Sequence, residues 1–337
     1  MTAGVREVAA LAGVSMSTVS NVLNRPDRVS AEAVDRVRAA IDQLGFVRND
    51  AARQLRVGRS NLIGLAVINI SNPFFTDVAT GVEQAAREHG YSVLIGNSAS
   101  SPAGESASLD LFENQRVDGV LILPAGDVFR ELDGLRRRGT PGVLIDRVDE
   151  HGVFSSVSTD NVVGGRLAAE HLLGLGHRRL LFVGGSDAVR QVRDRLDGFR
   201  AIVDEYRDAS LRVQWLDEVD AEHGAELGRA IAALPAGERP DAIFAANDML
   251  ALGIIHSLIG TEVRVPEDVA IVGYDDIVFA GVAAIPLTSI RQPSRDMGYA
   301  AASLLIEHLG DAQKPPRVIR YVPELMARSS TRHQKDT

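Results

Sequence analysis

The chain has 337 residues, of which 24% are charged and 45% hydrophobic, and its formal net charge is −9. That length and balance suit two or three globular domains with a sizeable core. It contains no cysteine, which excludes disulfides and thiolate metal sites and fits a reducing compartment. The N-terminus lacks a basic start followed by an apolar run, and no stretch approaches ~20 apolar residues, so neither a signal peptide nor a membrane span is expected. A cytoplasmic protein is the expectation. The charge is unevenly spread. Residues 1–60 hold nine Arg and six acids, giving +3, so the remainder carries −9 − 3 = −12. A basic head on an acidic body is the asymmetry expected when only the head touches phosphate.

In chain order, residues 5–24 read as two short helices joined by a tight turn. Val5, Val8 and Leu11 keep helical spacing, and Gly13 supplies a residue that leaves the helical region cheaply. Ser15 is an N-cap candidate, and Val19, Val22 and Leu23 form the apolar side of the second helix. Its outward side is Met16, Ser17, Thr18, Ser20, Asn21 and Asn24, polar or adaptable and uncharged. Such a surface can lie in a DNA major groove and present hydrogen-bonding groups to base edges. Spacing alone leaves a plain helical hairpin equally open. A loop at 25–29 follows, then Ser30 as the N-cap of a third helix that Gly45 closes. Residues 46–60 are a basic linker, with Asn49 able to cap a short helix through Arg56.

From Leu62 the texture changes. Apolar runs at 63–68, 92–95, 119–123, 142–145, 180–183, 242–245 and 269–272 alternate with helices near 74–89, 104–116, 128–138, 161–175, 190–206, 221–234, 247–259 and 293–309. Apolar runs separated by helices indicate parallel strands covered on both faces. The fold class expected is a small all-α helix-turn-helix head plus an α/β body of two doubly wound lobes. The last residues, 328–337, are polar and expected to fray.

Ligands of parallel sheets bind beyond the carboxyl ends of the strands. There stand Asn72, Phe74, Phe75, the Asp146-Arg147 and Asp160-Asn161 pairs, Arg195, Asn247, Asp275 and Gln292. Carboxylates, amides, arginines and rings suit hydroxyl-rich or polar small molecules. Plainer readings stay open: Asn72, Asp160 and Asn247 as helix N-caps, Phe74 and Phe75 as core, Asp146 and Arg147 as a mutual ion pair. No nucleotide fingerprint, metal spacing or nucleophile–base set is present, so no cofactor, metal or catalytic residue is expected.

Taken together, the motifs resemble the LacI/GalR family of bacterial transcription repressors. They run in order over about residues 4 to 330: Val8-Ala-Ala-Leu-Ala-Gly-Val-Ser15 with Thr18-Val-Ser20, Ile70-Ser-Asn-Pro-Phe-Phe75, Asp160-Asn161, His171-Leu-Leu-Gly-Leu-Gly-His177, Phe244-Ala-Ala-Asn-Asp248, Val272-Gly-Tyr-Asp-Asp276 and Arg291-Gln-Pro293. The resemblance implies a DNA-binding head at 1–47, a hinge and linker at 48–60, and an effector-binding and dimerisation body at 61–337. That body is similar to periplasmic sugar-binding proteins of type I. Its N-terminal lobe would be about 61–159 and 292–321, and its C-terminal lobe about 160–291 and 322–330.

By position in the family, Met16, Ser17 and Asn21 read bases. Thr18, Ser20, Asn24 and Arg28 touch phosphate or flanking groups. Asn49 to Arg56 forms a hinge helix whose Leu55, with Ala52 beside it, wedges into the operator's central step. Asn72, Phe74, Phe75, Arg147, Asp160, Arg195, Asn247, Asp275 and Gln292 match the cleft positions. The partners implied are a double-stranded operator, a small-molecule effector and a second copy of the chain, with no membrane. Many members have Arg where this chain has Asn21, and an amide favours adenine where Arg favours guanine. Near Val219 many sugar-responsive members carry an aromatic residue. The expected function is repression under a sugar or sugar-derivative effector. A purine or nucleoside, a protein co-regulator, or a solute-binding receptor are the alternatives.

Overall fold

The computed structural model describes residues 4–46, 60–99 and 101–332, and the chain divides into two compact units, 1–60 and 61–337. In the first, α1 (Val5–Ala12), α2 (Met16–Asn24) and α3 (Ala31–Leu44) enclose a small core. Val8, Ala9, Ala12, Val19, Val22, Val37 and Ala40 fill it. The apolar side of α1 differs from the expected one: Val5 and Leu11 are exposed, and the small Ala9 and Ala12 face the other helices instead. Small side chains there let α1 approach its neighbours closely. Gly13 and Gly45 end α1 and α3 in the left-handed region, at φ 64° and 57°. Ser30 occupies the N-cap position of α3, but its side chain makes no capping hydrogen bond.

The second unit is two lobes, each a six-stranded sheet with helices on both faces. The N-terminal sheet has the order β11-β5-β4-β3-β1-β2. Its strands are β1 (Leu62–Val67), β2 (Ser92–Asn97), β3 (Gly119–Ile122), β4 (Gly142–Ile145), β5 (Ser155–Thr159) and β11 (Val318–Tyr321). One face carries α4 (Pro73–Glu88) and α12 (Ser294–Gly310), the other α5 (Pro102–Asn114) and α6 (Phe129–Arg137). The C-terminal sheet has the order β12-β10-β9-β8-β6-β7. It comprises β6 (Arg179–Gly184), β7 (Ser210–Trp215), β8 (Ala242–Ala245), β9 (Ala270–Asp275), β10 (Thr288–Arg291) and β12 (Glu324–Met326). Here α7 (Asn161–Gly174) and α8 (Arg190–Val203) cover one face, α9 (Ala221–Ala233) and α10 (Asp248–Leu258) the other. A short α11 (Val278–Val282) follows β9.

The chain crosses between lobes after β5, after β10 and between β11 and β12. Three helix pairs meet through reciprocal glycines. A Cβ on Gly81 would stand 2.0 Å from the Arg295 carbonyl, and one on Gly298 2.0 Å from that of Val78, locking α4 to α12. Gly165 and Gly198 do the same for α7 and α8, and Gly224 and Gly253 for α9 and α10. Backbones this close leave room for no other side chain.

The seven strands and eight body helices expected from apolar periodicity are all present, with ends shifted by at most three residues. Five strands and α11 had no such signal. Residues 328–332 depart from expectation, being tied down rather than frayed. Ser330 Oγ donates to the Ile271 carbonyl at 2.6 Å, and Thr331 Oγ1 meets Thr288 Oγ1 at 2.8 Å. Among the described residues no helix is long and apolar enough to cross a membrane.

Candidate DNA-reading face and effector cleft

In the head, α2 is pinned by its apolar side and by its cap. Ser15 Oγ accepts from the Thr18 amide at 3.1 Å and also meets Ser17 Oγ and Thr18 Oγ1, at 2.7 and 2.9 Å. Val19 and Val22 point inward, so the opposite side faces out. Met16 is 55% exposed, and Ser17 and Asn21 are exposed with it. Thr18 and Ser20 are half-buried at the flanks, and Arg28 is exposed at the end of a 3-10 turn, Pro26–Arg28. The three residues matched to base reading are therefore all exposed. Asn49, Ala52, Leu55 and the side chain of Asn24 lie outside the described residues.

In the body, the crossings gather a buried polar network around Arg195, which projects from α8. Its Nε donates to Asn161 Oδ1 at 2.8 Å and its Nη1 to the Ala246 carbonyl at 2.6 Å. The guanidinium stacks over the Tyr274 ring at 3.6 Å. Its Nη2 stands 3.9 Å from Asp275 Oδ1. Asp275 ends β9 at φ 104° and accepts from Gln292 Nε2 at 2.8 Å, with Asn72 as a further hydrogen-bond partner. Burial pushes the Asp275 carboxyl up to about 6, against the pull of Arg195.

Asp146, at the end of β4 with φ 56°, receives Asn161 Nδ2 at 3.4 Å. Burial, opposed chiefly by Arg195, pushes Asp146 up to about 7. Asp248, also buried, accepts from Ser289 Oγ at 2.6 Å and the Ile277 amide at 2.8 Å, and burial raises its pKa well above the usual range. Asp276 is better served, with Arg291 at 2.7 Å and Arg328 at 2.6 Å.

A cavity of ≈ 320 Å³ opens beside this network, between the lobes. Arg147, Phe129, Ser158 and Thr159 line it from the N-terminal lobe, Asn161 and Gln191 from the C-terminal lobe. Asp146 and Asn161 belong to both the cavity wall and the network.

Of the sequence candidates, Asn72, Arg195, Asp275 and Gln292 come together in the network, and Arg147 stands in the cavity wall. Arg147 and Asp146 do not pair with each other. Arg147 Nη1 donates to the Gly126 carbonyl at 2.7 Å. Phe74 packs in the N-terminal core, with Phe75 half-buried and edge-on to it at 5.2 Å. Asn72, Asp160 and Asn247 each cap a helix. Asp160 also pairs with Arg320 at 3.3 Å, and Asn247 Nδ2 holds the Val219 carbonyl at 2.9 Å. Sequence reasoning placed Asp146 and Asn161 at the ligand-binding edge without assigning them to the effector, and it missed Ser158 and Gln191 as wall residues. Their signal was position at strand ends or helix starts, which capping explains equally well.

Two family models match the chain. One, described as bacterial regulatory proteins of the lacI family, covers residues 5–49, and a periplasmic binding protein-like domain covers 169–331. The ribose operon repressor of Escherichia coli K12 is 32% identical over 97% of this chain and 99% of its own length. The lac repressor dimer bound to operator and the anti-inducer ONPF superposes with a TM-score of 0.82 at 27% identity, covering 99% of this chain and 100% of that one. The complex of the transcriptional regulator CelR with cellobiose gives 0.71 at 32% identity, over 97% and 99%.

Proposed function

Because the chain belongs to the lacI family of bacterial regulatory proteins, we propose that Met16, Ser17 and Asn21 read its operator and that the interlobe cleft controls this reading. It is a sequence-specific DNA-binding transcriptional regulator, a repressor, and not an enzyme. It works as a dimer on a pseudo-palindromic operator, two heads matching two half-sites, and acts in the cytoplasm where that DNA lies. The head is residues 1–47, the hinge and linker 48–60, and the rest is the effector-binding body.

The observation that carries this reading is the outward side of α2. A helix held by Val19 and Val22 presents Met16, Ser17 and Asn21 to solvent without a formal charge among them. Phosphate attracts cations and accepts from neutral donors as well, whereas base edges are told apart by donors and acceptors in the groove. Arg28 supplies a cation, and Asn21 a donor and an acceptor.

The effector is a sugar or sugar derivative. Arg195, Asn161, Asp275, Gln292 and Asn72 form a donor–acceptor set that suits hydroxyls. A nucleobase, the second reading, would need a free ring face. The Phe129 ring of the cavity already touches Arg147, His151 and Phe154. Effector bound between the lobes favours one lobe angle, and that angle sets whether two hinges meet on DNA. Titration of a palindromic operator library against sugars and nucleobases by gel shift tests this. Specific binding that responds to a sugar is expected, and no specific binding under any condition overturns it. Leu55→Ala should weaken specific binding more than non-specific binding, and equal losses remove the wedge.

A further inference from the structure

The arginines of the cavity differ in how their charge is met. Arg190 is held by Glu150 at 3.1 Å and Asp194 at 2.8 Å, and Arg320 reaches Asp160 at 3.3 Å. Arg147 has no carboxylate within ion-pair distance among the described residues. It gives one hydrogen bond, to the Gly126 carbonyl at 2.7 Å, and lies over Phe129 at 5.5 Å. A guanidinium carries five N–H donors in a planar fork, so most of its capacity is left.

Ser158 stands on the same wall. Strands β4, β5 and β11 are consecutive neighbours, and Ser158 is the register partner of Arg320. Ser158 is 2% exposed, and its hydroxyl has no partner within the protein. A hydroxyl buried in that way is destabilising unless a ligand meets it. The carboxylates sharing the cavity are committed elsewhere. Glu150 and Asp194 serve Arg190, and Asp127 Oδ1 accepts from the Phe129 amide at 3.1 Å. Asp146 faces Asn161, and its burial disfavours the charged form.

We propose that Arg147 and Arg320, with the Ser158 hydroxyl on the same cavity wall, form a subsite for an acidic group of the effector, a carboxylate or phosphate on a sugar. This rests on the cleft being the effector site. The guanidinium of Arg147 meets the two acidic oxygens side by side, Ser158 donates its hydroxyl, and the sugar hydroxyls turn to Asn161 and Gln191. Gln191 Oε1 is likewise buried without a partner in the protein, and accepts from a ligand hydroxyl.

The test uses the full-length protein and thermal melting at constant ionic strength. The probes are inorganic phosphate and two matched sets: glucose, gluconate and glucose 6-phosphate; ribose, ribonate and ribose 5-phosphate. At least one acidic member should bind tenfold or more tighter than its neutral parent, and the gluconate and phosphate arms separate the two acid chemistries. Arg147→Gln should lose that preference by tenfold or more, Arg147→Lys should regain part of it, and Ser158→Ala should lose a smaller factor. Melting of each variant in chloride alone checks that it folds. A neutral parent that binds as tightly as its acids overturns the subsite and leaves the effector cleft standing. No response to any acidic probe, or a response unchanged in Arg147→Gln, also overturns it.

Discussion

The two lobes share a strand plan, and their buried carboxylates are met in two different ways. In the N-terminal lobe Asp149 is 4% exposed and accepts three backbone amides, from His151 at 2.8 Å, Val153 at 2.6 Å and Phe154 at 2.7 Å. Glu105, equally buried, accepts the Ala125 amide at 2.6 Å. Each charge is met by fixed dipoles of its own lobe. In the C-terminal lobe Asp275 and Asp248 lie near one another, and Asp275 depends on Arg195, which also acts on Asp146 across the cleft. Amide-held carboxylates fix a loop whatever the lobes do. Carboxylates that share one guanidinium are sensitive to anything entering or leaving the cleft. The difference separates scaffold from switch.

The largest effect expected is at Arg195. Arg195→Met leaves Asp275 and Asp146 buried without their cation, and removing one partner of a buried ionic set costs about 3–5 kcal/mol. Urea unfolding of the full chain measures it. A cost under ~1 kcal/mol would mean that the cluster is not interdependent, and the contrast between lobes would fail. Asp149→Ala, the matching change in the other lobe, strands three amides and should cost about 1–3 kcal/mol. Its cost should add to that of Arg195→Met, because Asp149 does not touch the network around Arg195.

The pH dependence sharpens the same contrast. Asp146 and Asp275 have carboxyls raised from 3.8 to about 7 and about 6 in the folded state. The folded chain therefore binds more protons than the unfolded one between these limits, and stability falls as pH rises from about 4 towards about 7. Each such group contributes a slope of up to ~1.4 kcal/mol per pH unit. Asp146→Asn should flatten the slope of melting temperature against pH between 5 and 7. An identical slope in wild type and Asp146→Asn would remove Asp146 from the titrating set.

Much of this architecture was legible from apolar periodicity, because parallel strands covered on both faces are apolar throughout. The failures have physical causes. β5 is Ser-Ser-Val-Ser-Thr, fully buried yet polar, so hydrophobicity is silent there. Two of its hydroxyls make tertiary contacts, Ser155 Oγ with His308 Nε2 at 2.8 Å and Thr159 Oγ1 with Met297 Sδ at 3.1 Å. β7 is an edge strand with exposed and half-buried residues alternating, and β11 and β12 owe their pairing to chain crossings. In the cleft, family position found Arg195, Asp275 and Gln292. It chose Asp160 where the neighbouring Asn161 faces the cavity, since the helix start takes the Asp160 side chain as its cap. The plainer alternative of an Asp146–Arg147 ion pair does not hold, and the left-handed backbone at Asp146 turns the chain there.

The smallest expected effect concerns the ion pair that spans the lobes at the cavity rim. Glu150 Oε1 and Arg190 Nη2 are 3.1 Å apart, but their side chains are 68% and 49% exposed. Water screens such a pair, and ordering two long side chains offsets most of its attraction, so it should contribute about 0–1 kcal/mol. Arg190 also keeps Asp194 at 2.8 Å within its own helix, which leaves its charge partnered when Glu150 is lost. Glu150→Gln should therefore leave the urea midpoint nearly unmoved, and a mild dependence on salt should vanish with it. The useful comparison is with Arg195→Met, since both remove a charge that acts across the cleft. If Glu150→Gln shifts operator response as far as Arg195→Met does, the lobe angle is set at the exposed rim. If it does not, the angle is set by the buried carboxylates that one guanidinium must serve.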